Sequence, residues 1–545
     1  MPTTDLTWSA SESLAGKVRQ RLADYRQQQV VRRIWDRDPS VWSRADEDRW
    51  LGWLTLPRQE RSGVAAIARF ADEVRTGGID DVVLLGMGGS SLAPEVMREV
   101  IGGAEGYPRL HVVDSTDPGQ ILSVERAIDF RRTLFLVASK SGTTLEVNIL
   151  KQHFFHRAAQ ALGASDAGRH FVLTTDPGSK LEQVAKQEGF RAIFPGIASV
   201  GGRYSALSNF GLVPAALLGA NPELLLDRAR EMAQRCAGDG PENSALELGV
   251  LLGELALEGR DKPTLIAPPG LASFGGWLEQ LVAESLGKQG KGIIPIEGEI
   301  TGPPEAYGRD RVFIHLRSAD AADPASDALA DRLERAGHPM VRIDWPDRHA
   351  LGAEFYRWEF ATAVAGAVLG VNPFDQPDVE AAKIVTRRLA AEYEQTGTLG
   401  DDEPALGERD IKGLLDQLGE GDYFALLAFI EMNRAHKDAL EAIRAVVRDR
   451  RRVATSVGFG PRYLHSTGQA HKGGPNSGVF LVITCDDPED LPVPGQRYSF
   501  GIIKRLQARG DFEVLASRGR RVLRVHLKNL AAGLRDLQAI VQKVA

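Results

Sequence analysis

The sequence predicts an α/β fold: two doubly wound parallel-sheet lobes, an N-terminal helical wrap before them, and a C-terminal α+β domain after them. Three observations point there. From Asp81 onward, short apolar runs alternate with helical patterns; the alternation restarts near Asn243; and it changes character after a stretch rich in Gly, Thr, Asp and Pro, Thr396 to Glu408. Strand, turn and helix in repetition indicate parallel sheets, which bind ligands outside the carboxyl ends of their strands. With 545 residues the chain is too long for a single core. The expected units are residues 1–60 for the wrap, 61–235 and 236–395 for the two lobes, and 409–545 for the third domain.

In chain order, Ser9 and Glu12 have the spacing of a capping box, and Leu14, Val18, Leu22 and Tyr25 form one helical stripe. Trp35, Trp42, Trp50 and Trp53 follow at irregular spacing and read as packing material. In the first lobe, Val82–Leu85, Leu110–Val113, Leu134–Val137, Phe171–Leu173 and Ala192–Phe194 read as strands, with helices such as Leu92–Ile101 and Leu181–Gln187 between them. The second lobe has helices at Ala245–Leu257, Trp277–Leu286, Ala353–Leu369 and Val379–Tyr393. Its strands are expected at Thr264–Ala267, Ile293–Pro295, Val312–His315 and Val341–Ile343. Beyond the linker, helices are expected at Ile411–Leu418 and Tyr423–Val447, strands at Val479–Thr484 and Val522–Leu527, and a last amphipathic helix on Leu530, Leu534, Leu537 and Val541.

Composition narrows the classes. Hydrophobic residues at 43% and charged residues at 26% describe a soluble globular chain. A net charge of -7 argues against a general nucleic-acid binder. The arginine clusters at Arg448–Arg452 and Arg518–Arg524 read as solvated faces of a helix and a strand. Two distant cysteines, Cys236 and Cys485, supply neither a disulfide framework nor a cysteine metal site, and suit a reducing compartment. The first residues lack a secretory pattern, and the longest apolar run, Phe360–Val371, is too short to span a bilayer. A cytoplasmic protein with no membrane partner is expected.

Five stretches carry candidate chemistry. Ser139-Lys140-Ser141-Gly142-Thr143-Thr144 lies between a strand end and a helix start, where free N–H groups and the helix dipole favour an anion. Its hydroxyls and lysine suit the oxygens of a phosphate monoester; the plainer reading is a hydroxyl-rich turn and cap. Gly86-Met87-Gly88-Gly89-Ser90-Ser91 fails the dinucleotide fingerprint, because Ser91 stands where the third glycine belongs. Such a turn, presenting serine hydroxyls, fits a small phosphate ester. In Trp277–Lys288, the residues Gln280, Glu284 and Lys288 recur at helical spacing, so Glu284 could serve as a tuned general base or as half of an ordinary Glu–Lys pair. Arg203 follows two glycines and could stabilise charge on a substrate oxygen. Asn372-Pro373-Phe374-Asp375-Gln376-Pro377 leads to Glu380 and Lys383, and the loop from Tyr463 to Gly474 carries His465 and His471 without metal-site spacing.

Together these motifs resemble the glucose-6-phosphate isomerase family, whose fold is a pair of sugar-isomerase (SIS) domains. The resemblance rests on GMGGSS, SKSGTT, VGGRYS, the QxxxESxGK pattern at Gln280–Lys288 and the QxxVExxK pattern ending at Lys383. It covers most of residues 80–385 and the His465 loop, and is closest to the isomerase half of transaldolase–isomerase fusion proteins. The resemblance implies Ser139, Ser141, Thr143 and Thr144, with Lys140, at the phosphate, and Gly89 and Ser90 at the glycine turn. It implies Glu284 as the base, Arg203 beside the enediolate, Gln280 near them, and Lys383 with a histidine in ring opening. In the family that histidine lies between the glutamate and lysine motifs, in a His-x-x-x-Gln loop, and crosses a dimer interface. Here the matching loop, His465 to Gln469, follows Lys383, so the role is assigned to His465, in its own or a neighbouring subunit; His349 and His315 are the next candidates. The resemblance implies interconversion of glucose 6-phosphate and fructose 6-phosphate, with no metal or cofactor and a possible homodimer. The alternatives are a non-catalytic sugar-phosphate sensor, or an isomerase of another phosphosugar such as mannose 6-phosphate.

Overall fold

The computed structural model describes residues 5–399 and 404–545; the centre of the expected linker lies outside the described residues. Three sheets organise the chain. The first contains β2 (Asp81–Gly86), β3 (Arg109–Val113), β4 (Thr133–Ala138), β5 (Phe171–Thr175) and β6 (Ala192–Pro195), in the order β3-β2-β4-β5-β6 and parallel throughout. β2 and β4 are buried along their whole length, which is why they read as continuous apolar runs without alternation. Leu85 pairs with Val137, so the glycine turn after β2 and the hydroxyl loop after β4 leave the same edge side by side.

The second sheet has β7 (Lys262–Ile266), β8 (Arg311–Ser318) and β9 (Met340–Trp345) in parallel, and β1 (Leu6–Ser9) antiparallel against β9. The N-terminal wrap is therefore helical only after it has donated an edge strand to the second lobe. Ser9 ends that strand, and Ser11 caps helix Glu12–Gln27 by accepting from the N–H of Leu14. Ile293–Pro295 is not a strand. The segment runs beside β7 in a single bridge, Leu265 donating to Ile296 at 3.0 Å and Ile296 to Pro263 at 2.8 Å.

The third domain corrects the α+β expectation. Its sheet, β11 (Ala454–Phe459), β10 (Tyr423–Phe429), β12 (Gly478–Cys485) and β13 (Arg521–Leu527), is parallel throughout, in the order β11-β10-β12-β13. The expected helix from Tyr423 divides into β10 and helix Arg434–Arg451, because seven consecutive buried residues satisfy a central strand and a buried helix equally well. Helix Phe500–Ser517 then supplies the crossover between β12 and β13 that the sequence pattern hid.

These units share apolar cores. Trp53 lies fully buried, stacked on Tyr204 of the first lobe with ring centroids 5.3 Å apart and close to Tyr356 and Phe360 of the second. Trp42 donates to the carbonyl of Ala363 at 2.7 Å. Phe500, Ile503 and Leu506 of the third domain join the apolar core of the first lobe, while Ala283, Ile294 and Ile296 of the second lobe join that of the third. Both cysteines are free and buried, and no helix among the described residues is long and apolar enough to cross a membrane. Trp53→Ala should cost about 3–5 kcal/mol through the cavity it leaves between wrap and lobes. Chemical denaturation of both proteins checks this; an unchanged midpoint would mean the wrap is not held by Trp53.

Candidate active site

The hydroxyl loop after β4 is held in place by the end of β5. Thr175 donates its Oγ1 to the carbonyl of Ser139 at 2.7 Å, and Asp176 donates its N–H to the carbonyl of Lys140 at 3.1 Å. Gly142 turns the chain at φ +68°, a conformation that favours glycine, close against Ser179 and Leu181. Thr143 N–H and Oγ1 then lie 3.2 Å and 2.9 Å from Ser141 Oγ, and helix Leu145–Leu162 begins. Ser141, Thr143 and Thr144 line a cavity of about 150 Å³ together with Glu146, Lys383, His465 and Gln507. Lys140 does not reach it: its ammonium is paired with Asp176 and donates to the carbonyl of Ile197 at 3.1 Å. Ser139 is buried beneath the loop, its Oγ 3.4 Å from Thr144 Oγ1.

The second lobe approaches through helix Phe274–Leu286. Gln280 and Glu284 are both buried and one turn apart, and the Gln280 amide donates to Glu284 Oε2 at 3.1 Å. They do not form the exposed face that the Glu–Lys reading assumed. Lys288 lies past the helix end, where it donates to the carbonyl of Asn372 at 2.5 Å and pairs with Asp375 at 2.7 Å. Burial, then the charge of Arg203, push the Lys288 ammonium down to about 7 against the opposing pull of Asp375 and Glu284.

Arg203 is buried with its guanidinium fully engaged. Nε donates to Ser285 at 2.7 Å, Nη1 to Gln376 at 2.9 Å, and Nη2 to the carbonyls of Pro373 and Asp375 at 2.7 and 2.9 Å. Nη1 also lies 3.3 Å from Glu284 Oε1. The glycine turn packs on this group. Gly88, at φ +57°, faces the Gln280 amide and the carbonyl of His465, and a methyl group on Gly89 would overlap the carbonyl of Gly202. Ser90 is buried in the same turn.

The third domain closes the arrangement. His465 ends the short turn Arg462–His465, its carbonyl accepting from the Gln280 amide at 2.8 Å. Its Nε2 lies 3.0 Å from Glu146 Oε1. A carboxylate only accepts, so Nε2 carries a proton. Burial alone would raise Glu146, but the charge and hydrogen bond of His465, helped by a backbone N–H and Lys383, hold it below the usual carboxylate range. Lys383, half exposed on helix Pro377–Thr396, lines the same cavity 3.6 Å from Glu380. His471 is buried among Tyr423, Tyr463 and Phe480, where burial pushes its basicity well down. His315 lies buried in β8, 3.6 Å from Asp327, and His349 lies 3.6 Å from Asp347; neither lines the cavity.

The structure thus brings Ser141, Thr143, Thr144, Lys383 and His465 around one cavity, and Glu284, Arg203, Gln280 and Gly89 behind it, joined through the carbonyl of His465. Sequence reasoning missed Glu146 and Gln507, and gave Gln376 a place in a motif without its arginine partner. An acid in the first turn of a helix is ordinary dipole chemistry, so Glu146 gave no signal of its histidine partner. Gln507, which donates to Glu146 at 2.7 Å, lies in the helix the pattern hid.

A family model described as phosphoglucose isomerase matches residues 61–297. A glucose-6-phosphate isomerase of Rubrobacter xylanophilus is 31% identical over 383 residues, which cover 62% of this chain and 88% of that protein. The chain belongs to the phosphoglucose isomerase family. A glucose-6-phosphate isomerase of Trichormus variabilis is 32% identical over 403 residues, covering 62% of this chain and 75% of the relative. Among solved structures, a hypothetical protein of Thermus thermophilus aligns with a TM-score of 0.61 and 26% identity, over 70% of this chain and 99% of that one. A glucose-6-phosphate isomerase of Chlamydia trachomatis aligns with a TM-score of 0.58 and 19% identity, over 72% and 89%, a likeness of fold. The matched family segment contains the glycine turn, the hydroxyl loop, Arg203 and Glu284; Lys383 and His465 lie beyond it.

Gly89→Ala tests whether the turn positions the guanidinium. The methyl must displace Gly202 and the N–H of Arg203, and an ångström-scale displacement of a site group lowers turnover by roughly 10²-fold. Steady-state kinetics with a circular-dichroism control checks this; wild-type turnover would separate the turn from the site.

Proposed function

We propose that the chain interconverts glucose 6-phosphate and fructose 6-phosphate by ring opening and proton transfer through a cis-enediolate, with the groups around the cavity of Ser141 and His465. The observation that carries the reading is a single shared nitrogen. The Gln280 amide reaches both the Glu284 carboxylate, at 3.1 Å, and the backbone carbonyl of His465, at 2.8 Å, which supports reading base and histidine as parts of one site.

The phosphate is assigned to Ser141, Thr143 and Thr144 at the start of helix Leu145–Leu162, where hydroxyls, N–H groups and dipole all favour an anion. This remote group supplies binding energy and alignment. In its neutral form, with Nε2–H directed at Glu146, His465 accepts the proton of the anomeric hydroxyl at Nδ1 and becomes the cation that Glu146 offsets, while the Lys383 ammonium gives one to the ring oxygen. In the open chain Glu284 takes the proton from C2 and returns it to C1; in the reverse direction the carbons exchange roles. Negative charge on the enediolate oxygens faces Arg203, which is already fixed by its partners. A sensor would need the phosphate loop but not a buried carboxylate poised beside a buried guanidinium.

In this reading His465 and Glu284 act within one chain, which the contact between the Gln280 amide and the carbonyl of His465 supports. A sugar phosphate is the partner, and two free buried cysteines suit a cytoplasmic setting.

Glu284→Gln should retain sugar-phosphate binding while kcat falls about 10²–10⁴-fold, the usual contribution of a general base. Fructose 6-phosphate formation measures it, and retained turnover would return the sensor reading. His465→Ala should slow isomerisation of the closed ring far more than proton exchange on open-chain sugar. Mixed oligomers of the Glu284→Gln and His465→Ala chains should stay inactive; recovered activity would mean that the histidine crosses between subunits.

A further inference from the structure

Helix Phe500–Ser517 carries a buried polar stripe that takes no part in the proton transfers assigned to Glu284, Lys383 and His465. Lys504, Gln507 and Asp511 recur there at helical spacing, and none is more than 3% exposed. Polar side chains inside a protein cost free energy unless partners meet them. Each of these is met. Lys504 pairs with Asp117 at 2.7 Å and with Asp487. Gln507 lies between Thr116 and Glu146 of the first lobe. Asp511 accepts from the Tyr463 hydroxyl at 2.6 Å and pairs with Lys472 at 2.5 Å.

The partners fix which way the Gln507 amide points. The Glu146 carboxylate only accepts, so the amide NH2 faces it, at 2.7 Å, and Oε1 turns to Thr116, whose hydroxyl donates at 2.7 Å. The amide and His465 Nε2 meet the same oxygen, Glu146 Oε1. Gln507 therefore holds that oxygen in place and shares its acceptor capacity with the histidine. Asp511, one turn further on, works from the other side. Tyr463 stands two residues before His465 in the turn Arg462–His465, and Lys472 lies on the next helix, Gly468–Gly473. One helix thus grips the acid that orients His465 and both flanks of the loop that carries it.

We propose that Gln507 and Asp511 are positioning residues for His465, Gln507 acting through Glu146 and Asp511 through Tyr463. The inference rests on the ring-opening role given to His465. It has an electrostatic side as well. An oxygen that already accepts from Gln507 stabilises an imidazolium less than a free one does, so the amide keeps His465 neutral to lower pH. Helix Pro377–Thr396 faces the same pair with Glu380, Lys383 and Arg387, and helix Phe274–Leu286 with Glu284 behind Gln280. None of the substitutions that test the role touches those charges.

Steady-state kinetics of the full chain with glucose 6-phosphate, measured across pH, tests the assignment. Gln507→Leu should lower kcat roughly 10–10²-fold, the scale of an ångström-sized misplacement, with KM little changed because the phosphate loop is untouched. The acid limb of its profile should move to higher pH. Thr116→Val removes the hydroxyl that orients the amide and should shift both in the same direction. Thr116→Ser should restore them, and this pair keeps the test decisive if Gln507→Leu does not fold. Tyr463→Phe should lower kcat without moving the acid limb, because Glu146 keeps its donors. Native kcat and acid limb in Gln507→Leu and Thr116→Val would overturn the role of Gln507, as would equal losses in Thr116→Val and Thr116→Ser. Native kcat in Tyr463→Phe would overturn that of Asp511. An inactive native chain would instead remove the ring-opening role, and this assignment with it.

Discussion

A buried guanidinium sets the terms for the rest of the molecule. Arg203 has no access to water that could solvate its charge, so each donor must be met by protein. It is met by Ser285, Gln376, the carbonyls of Pro373 and Asp375, and the nearby Glu284 carboxylate. Those partners come from the second lobe, while Arg203 follows the last strand of the first. One charge therefore determines how the two sheets face each other. Removing a partner from such a cluster typically costs about 3–5 kcal/mol, because the charge stays behind. The same constraint explains the glycines: Gly89 has no side chain because the carbonyl of Gly202 occupies that space.

The third domain obeys a comparable rule. It meets the lobes through apolar residues of helix Phe500–Ser517 and through buried polar pairs. Thr116 donates to Gln507 at 2.7 Å, and Lys504 lies 2.7 Å from Asp117, each joining the third domain to the first lobe. Glu299 accepts from Arg311 at 2.9 Å and from Thr455 at 2.7 Å, joining the third domain to the second lobe. Such contacts are directional, so they specify a docking pose as well as an affinity. The pose carries a histidine from far along the chain to Glu146, whose carboxylate then fixes which imidazole nitrogen bears the proton.

Electrostatics divide the interior into matched and unmatched regions. Around His465 and Arg203 acids and bases are paired, and the partners of the buried Glu146 outweigh desolvation and hold it below the usual carboxylate range. Glu359 is a different case, fully buried with both oxygens unpaired, its carboxyl held well above the usual carboxylate range by desolvation. It is flanked along its helix by the buried rings of Trp358 and Phe360.

Much of the fold and most of the candidate site were legible from residues alone, for local reasons. Short apolar runs fully buried in parallel sheets, small residues after strands, and a glycine turn each impose their own backbone, and the motif order placed Glu284, Arg203 and the hydroxyl loop in one family. What the sequence could not decide depended on distant partners. Tyr423–Phe429 is apolar without period, and only pairing with β11 and β12 makes it a strand. Lys140 has the composition of a phosphate ligand, yet Asp176, 36 residues later, takes its charge. Glu146 resembles a helix-start acid until His465 arrives from 319 residues away. Backbone preferences act over a few residues and are written locally. Ion pairing and burial act through space, so only the folded chain assigns them.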